Sequence, residues 1–276
     1  MLLFNTKQGI GRASADSQER LEILIDEAKD LVPYLSPEKL GELKSTTPIR
    51  TIELSASEIL PPVLKPGRLI IVGLNYKSHC DELGFPHPAQ AMFFEAPSEA
   101  ICNTGSDIPI PSDAPDQVDY EAEIAIVIGA LASKVSKENA WSVIGGLAPI
   151  NDVSARDVQS AMTLEALAQA KGFPRFKPFG PCLATVDEFP DPNNIGITTR
   201  VNGELRQNGR TNDMLFSIPE IIESVSANID LQPGDVICTG TPSGAAVEGK
   251  YSYLKAGDSI ELTVEGLPPL INKFVG

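Results

Sequence analysis

The sequence is short of the side chains that most often build soft-metal and redox sites. Only two of its 276 residues are histidines, His79 and His87, which leaves little room for a multi-histidine metal centre. Its four cysteines, Cys80, Cys102, Cys182 and Cys238, stand far apart with no CxxC spacing. A zinc knot is therefore not expected, and reduced thiols in a cytosolic protein are the default. Positive charge is scarce as well: 22 Lys and Arg face 37 Asp and Glu, for a formal charge of -15 and an isoelectric point near 4.6. So acidic a chain is a poor partner for nucleic acid or for an anionic membrane surface. The apolar run in "MLLFNTKQGIGR" is far too short for a signal peptide or a membrane span. No internal repeat or low-complexity segment is evident. The expected location is cytoplasmic.

What is present reads as an ordinary globular chain, with 42% hydrophobic residues and a mean hydropathy of -0.03. Its length suits one large domain, or a large one with a small one beside it. Residues 16–32, "DSQERLEILIDEAKDLV", carry Leu21, Leu24, Ile25, Ala28, Leu31 and Val32 at helical spacing, with Asp16 or Ser17 as cap. A short second helix is expected after Ser36 as cap, with Pro37 at its first position. A polar, proline-rich connector follows, with one strand expected over Ile49–Leu54. From Leu69 the texture changes to short β-rich runs broken by Gly, Pro and Asp, with a hairpin expected at Asn202-Gly203 and a helix over "SIPEIIESVSAN". The pattern predicts an α+β, β-rich fold dominated by a folded-over sheet, with a small N-terminal segment (1–67) ahead of the main body (68–276).

The stretch "DYEAEIAIVIG", Asp119 to Gly129, is unusual in its polarity. Alternate side chains of a strand share a face, which places Asp119, Glu121 and Glu123 with Ala125 and Val127, and Ala122, Ile124, Ile126 and Ile128 on the opposite face. Such carboxylates either end in solvent beside Arg or Lys, or sit at the edge of a core, where unpaired charge is costly. Asp152 in "INDVSARD" follows another apolar run and so also falls at a strand end. Two Glu and one Asp form an oxygen-only donor set, which suits Mg²⁺, Mn²⁺ or Ca²⁺ better than Zn²⁺.

In "GLNYKSHCDELG", His79 and Glu82 are one helical turn apart. A carboxylate that orients an imidazole makes a general base; the same pair on a solvated loop would be merely polar. Lys171 in "AKGFPRFKPFGP" is either an exposed solubilising residue or a cation that reaches a site. "CTGTPSG" offers Thr241 and the N–H groups around Gly240 in a tight turn that can cradle an oxyanion.

In this order, "VGLNYKSHCDELG", "DYEAEIAIVIG", "INDVSARDVQ", "AKGFPRFKPFGP", "VNGELRQNGRTNDMLFSI", "LQPGDVICTGTPSG" and "LKAGDSIELTVEGL" resemble the fumarylacetoacetate hydrolase family over roughly residues 68–276. The resemblance implies a mixed β-roll catalytic domain, a homodimer, and a divalent metal, Mg²⁺ or Mn²⁺, held by Glu121, Glu123 and Asp152. It implies His79 and Glu82 as a catalytic pair, Lys171 as an active-site cation, and Thr241, Gly240 and Gln207 near the substrate. The expected substrate is a small keto or diketo acid. The leading expectation is a hydrolase that cleaves a C–C bond in a 1,3-dicarbonyl or 2,4-dioxo acid, with a 2-oxo-acid decarboxylase or an enol–keto isomerase as alternatives on the same site. A catalytically idle binding homologue is a further alternative. One departure stands out. Where the family commonly reads Phe-x-Lys, this chain reads "FFEAPS", which puts Glu95 in place of a lysine. If Glu95 faces the pocket it disfavours a substrate with an extra carboxylate; if it faces solvent it changes little.

Overall fold

The strand Ala122–Ile128 is buried along its whole length because each of its two faces meets a different core. Ala122, Ile124, Ile126 and Ile128 pack in one cluster with Ile197, Leu262 and Val264 of a second sheet and with Ile218, Ile221, Ile222 and Val225 of the helix Ile218–Ser226. Ala125 and Val127 pack on the opposite side, with Ala148, Ile150, Leu3, Ile10, Leu35 and Leu40. The period-two division expected from the sequence is the division between these two cores. The structure, a computed structural model, describes residues 1–14, 17–27, 30–54, 59–161 and 163–276.

Among the described residues the main sheet has 11 strands. Its path runs Arg50–Glu53, Ser17–Asp26, Gly9–Ser14, Leu2–Thr6, Leu183–Ala184, Ile144–Asn151, Ala122–Ile128, Val236–Cys238, Leu69–Gly73 and Met92–Ala96. Ile59–Leu60 pairs on Leu2–Thr6. A 5-stranded sheet of Glu204–Arg210, Gly196–Val201, Ser259–Val264, Leu270–Val275 and Asp107–Pro109 covers one face. The N-terminal strands reach the rest of the sheet through Leu2–Thr6 on Leu183–Ala184, and with the helix Pro37–Ser45 they help to cover the other face.

Most of the expected local structure is present. Ser36 caps the helix Pro37–Ser45 by accepting from the Lys39 N–H. The strand expected at Ile49–Leu54 spans Arg50–Glu53. Asn202 and Gly203 turn between Gly196–Val201 and Glu204–Arg210 with φ of 51° and 84°, as a primed turn requires. All four cysteines are free and buried.

The helix expected over 16–32 is instead the strand Ser17–Asp26, followed by a short 3-10 turn at Val32–Tyr34. The apolar residues satisfy both periods: Leu21 and Ile23 alternate with Glu22, and Leu24, unpaired at a register shift opposite Ile10 and Gly11, is a bulge. Partners on both sides, Gly9–Ser14 and Arg50–Glu53, decide for the strand. Asp16 and Ala28 lie outside the described residues.

Because Ile126 is fully buried between the sheets, Ile126→Ala is expected to lower stability by about 2–5 kcal/mol. A fall in the denaturant midpoint at unchanged m-value is the check.

Candidate active site

Strand register assembles the acidic cluster. Ala122 pairs with Asn151 and Glu123 with Ile150, so that Asp152, one residue past its strand, donates its N–H to the Glu121 carbonyl at 2.9 Å. Glu121, Glu123 and Asp152 each offer a carboxylate oxygen within 4.8 Å of the others, and all three residues are buried.

Three cations hold this negative charge. Lys171, which follows the helix Leu164–Ala170, donates to Glu121 Oε2 at 2.8 Å, Asp152 Oδ2 at 2.5 Å and Ser154 Oγ at 3.0 Å. Arg156 donates to Glu121 Oε1 at 2.6 Å and to Asp119 Oδ2 at 2.9 Å. Lys177, fully buried, places Nζ 2.7 Å from Asp152 Oδ1. That contact is electrostatic: the Lys177 protons go to the carbonyls of Lys171, Phe176 and Val153. Asp152 Oδ1 therefore accepts no hydrogen bond.

The charge balance falls short by one. Glu121, Glu123, Asp152 and Asp119 face Lys171, Arg156 and Lys177, and Glu123 bears the deficit. Burial and the neighbouring Asp152 and Glu121 raise its carboxyl well above the ordinary range, against a hydrogen bond from the Gly240 N–H at 2.8 Å. Burial also acts to raise Glu121, but Lys171 and Arg156 outweigh it and hold Glu121 low. A buried all-oxygen triad with repelled charge and an unfilled acceptor at Asp152 Oδ1 fits a hard divalent cation.

The catalytic pair expected from the sequence is formed on the helix Lys77–Leu83. His79 Nδ1 lies 2.6 Å from Glu82 Oε1, and Glu82 Oε2 accepts from the Gly244 N–H at 2.9 Å. Burial would raise Glu82, but the bonds from His79, Glu248 and Gly244 prevail and hold it low. An ionised Glu82 assigns the Nδ1 proton to His79 as donor and leaves Nε2 as the free lone pair. His79 is near enough to Glu121 for its charge to act on that carboxylate.

The turn after Val236–Cys238 is bound to both elements. Gly240, at φ 89°, packs on Asn75 and presents its N–H to Glu123; Gly244, at φ 105°, lies against the Arg206 carbonyl and presents its N–H to Glu82. Thr241 Oγ1 donates to the Ala122 carbonyl at 2.9 Å and accepts from Gln207 Nε2 at 2.8 Å. Gln207 also donates to the Pro242 carbonyl and accepts from the Ala122 N–H and from Thr199 Oγ1. Thr241 and Gln207 thus act as a clasp on the strand that carries the triad, with the polar atoms of Gln207 all engaged.

Glu95 is not in the site. It lies exposed on the edge strand Met92–Ala96, with Oε1 3.4 Å from Arg68 Nε. Of the two orientations open to Glu95 from the sequence, the solvent-facing one is present, because the ladder turns it toward Arg68. Sequence reading passed over Arg156, Lys177 and Tyr76. Arg156 and Lys177 stand inside the quoted "SARD" and "RFKPF", and a charged residue amid aromatics was the available signal for Lys177. Tyr76 is fully buried, its hydroxyl has no hydrogen-bond partner among the described residues, and it lies near Glu123. Asp119 shares no oxygen with the triad but holds Arg156 against Glu121.

The Fumarylacetoacetate (FAA) hydrolase C-terminal family matches residues 68–275. The chain belongs to the fumarylacetoacetate hydrolase family. This family member is 38% identical over 230 residues to the Bos taurus protein named oxaloacetate tautomerase FAHD2B, mitochondrial, which covers 83% of this chain and 73% of that one. Among solved structures it is similar to a 5-carboxymethyl-2-hydroxymuconate delta-isomerase from Mycobacterium smegmatis, at 31% identity and a TM-score of 0.82, over 100% of this chain and 99% of that one. It is also similar to a maleylpyruvate hydrolase from Sphingobium sp. SYK-6, in complex with manganese(II) and pyruvate, at 25% identity and a TM-score of 0.80, over 100% and 99% of the two chains. The fumarylacetoacetate hydrolase family thus includes tautomerases, isomerases and hydrolases, and this chain is an enzyme of it.

Two substitutions test the site. Glu123→Gln keeps the shape but removes a donor charge, and calorimetry is expected to show Mn²⁺ affinity weakened by at least about tenfold, the range in which even lesser changes around a metal act. Lys177→Met removes one of the two buried ammonium groups that Asp152 contacts and is expected to cost about 3–5 kcal/mol. Added Mn²⁺ should then raise the melting temperature of that variant more than that of the wild type.

Proposed function

We propose that this enzyme shifts a proton between the enol and keto forms of a 2-oxo dicarboxylic acid of the oxaloacetate class, with Mg²⁺ or Mn²⁺ held by Glu121, Glu123 and Asp152. The observation that carries the reading is the His79–Glu82 pair, 2.6 Å apart, with His79 buried and within electrostatic reach of Glu121. Tautomerisation needs a base that gives and takes one proton beside a polarised oxo group, and the pair supplies it. The similarity to the bovine oxaloacetate tautomerase supports the choice of substrate.

Glu121, Glu123 and Asp152 would hold the divalent cation, which would supply Lewis-acid charge for the oxygens of a bound keto acid. The protein's own residues do the rest. His79 Nε2 exchanges a proton with C3 of the substrate, while Glu82 orients the ring through Nδ1. Lys171, with three acceptors of its own, is a fixed positive charge that favours oxygen anions nearby and not a mobile acid. The single negative charge left over among the buried groups becomes a net positive one when a divalent cation joins them, which favours an anionic acid over a neutral ketone.

A second reading, hydrolysis of a C–C bond in a 2,4-dioxo acid with water as the group activated by His79, is favoured by the likeness to the maleylpyruvate hydrolase that holds manganese and pyruvate. One experiment separates the two. With Mn²⁺ or Mg²⁺ present, the decay of enol-oxaloacetate absorbance is expected to accelerate, and His79→Ala to slow it by about 100-fold or more while Mn²⁺ binding persists. Release of pyruvate from an acylpyruvate at a rate above enol decay would replace the tautomerase reading with the hydrolase one.

A further inference from the structure

His79 is almost wholly buried, at 5% exposure. A buried base that takes a proton from a substrate must pass one on to solvent before it can act again. The structure shows where such a path begins. Glu82 lines a pocket of about 470 Å³ together with Ser78, Arg206, Ser243, Glu248 and Tyr251 among others, and no triad residue is in that lining. Glu248, at the end of the 3-10 turn Ala246–Glu248, lines this pocket beside Glu82, its carboxyl close enough to that of Glu82 for each to act on the other. Two carboxyl groups can share a hydrogen bond only if one of them carries a proton.

We propose that Glu248 is the proton port of the active site, which links the water of this pocket to His79 through Glu82. The inference rests on the reading of His79 as the group that moves the substrate proton.

Geometry fixes the port to the site. Asp119, whose Oδ2 holds Arg156 against Glu121, accepts the Ala246 N–H on Oδ1 at 2.8 Å and the Val247 N–H on Oδ2 at 3.0 Å. One buried carboxylate therefore anchors both the acidic triad and the turn that carries Glu248. The Gly244 N–H on Glu82 and the Ser243 N–H on Ser78 Oγ bind the preceding turn to the helix of His79. The groups around Glu248 set its protonation. Burial, the hydrogen bond to Glu82 and the charge of Glu82 push its carboxyl up to about 7, Asp119 adds to the rise, and Lys250 opposes it. Arg206 lines the same pocket but is committed to Glu204, the Ser252 carbonyl and the rings of Tyr120 and Tyr251.

The transfer balances without a further reactant. Glu248, which carries the proton of the pair at rest, first releases it to water; when His79 Nε2 gains a proton from the substrate, the Nδ1 proton then passes to Glu82 and from Glu82 to the vacated Glu248. The reverse sequence delivers one proton to the substrate. As a positioning residue, Glu248 touches Glu82 and not the substrate.

The test reads the exchange of the His79 ring Nδ1–H with water by NMR, which needs no turnover. In Glu248→Ala and in Glu248→Gln the exchange is expected to slow by at least about tenfold, since neither side chain relays a proton. Added imidazole, small enough to enter the pocket, should restore it in Glu248→Ala. The wild-type rate profile should bend near pH 7, where the bridge loses its proton, and the bend should be absent in Glu248→Gln. Exchange within twofold of wild type in both variants, or a slowing that imidazole does not reverse, overturns the proposal. Inactivity of the wild type on every keto acid, with exchange behaving as expected, would overturn the tautomerase and hydrolase readings and leave the proton port standing.

Discussion

Burial of carboxylates that repel one another is the constraint on which the rest of this structure depends. Glu121, Glu123 and Asp152 meet at the end of a strand closed on both faces, and water cannot screen them there. The protein answers with Lys171, Arg156 and Lys177, each fixed by further bonds to carbonyls, hydroxyls or Asp119. Those bonds reach the segments after Ile144–Asn151, after Leu164–Ala170 and around Lys177–Pro178, so the electrostatics of the site also order the loops that surround it. Removal of any one cation would disturb both.

The residual charge is informative because it falls on one group. Glu121 and Asp152 each touch an ammonium or guanidinium, whereas Glu123 has the Gly240 N–H. A cation that arrives in the triad would gain most from Glu123, and the protein keeps that carboxyl beside the rigid turn that also supplies a bond to Glu82. Metal affinity and the orientation of the general base are in this way coupled through the segment from Gly240 to Gly244.

How much of this was legible in the sequence depends on whether the signal was local. The period-two face of "DYEAEIAIVIG", the His79–Glu82 spacing, the Asn202-Gly203 turn and the helix Ile218–Ser226 follow from neighbours along the chain, and the structure has them. The helix expected over residues 16–32 failed because its apolar residues satisfy two periods, and distant strand partners made the choice. Arg156 and Lys177 escape a local reading because their carboxylate partners are contributed by other segments, and the one local hint, a charge amid aromatics, marks Lys177 alone. Glu95 drew notice as a departure from a family pattern, yet the ladder turns it outward to Arg68. Gln207 and Thr241 fix the backbone of Ala122 beside the triad, a task that rests on long-range bonds and has no mark in their own segments.

Asp119 shows why side-chain identity at a site is not the same as side-chain role. By parity it belongs with Glu121 and Glu123, and a purely local argument would make it a fourth ligand. The strand breaks at Tyr120 and Glu121, so that Asp119 and Glu123 lie in different strands. Its two oxygens are filled by three backbone N–H groups and one guanidinium, which leaves little for a metal. An anion so fully satisfied is a rigid pivot. Through Arg156 it bears on the triad, and through Ala246 and Val247 it bears on the turn of Glu248. The buried triad and the pocket-lining pair of acids are therefore parts of one electrostatic structure, built around a carboxylate that takes no part in the chemistry itself.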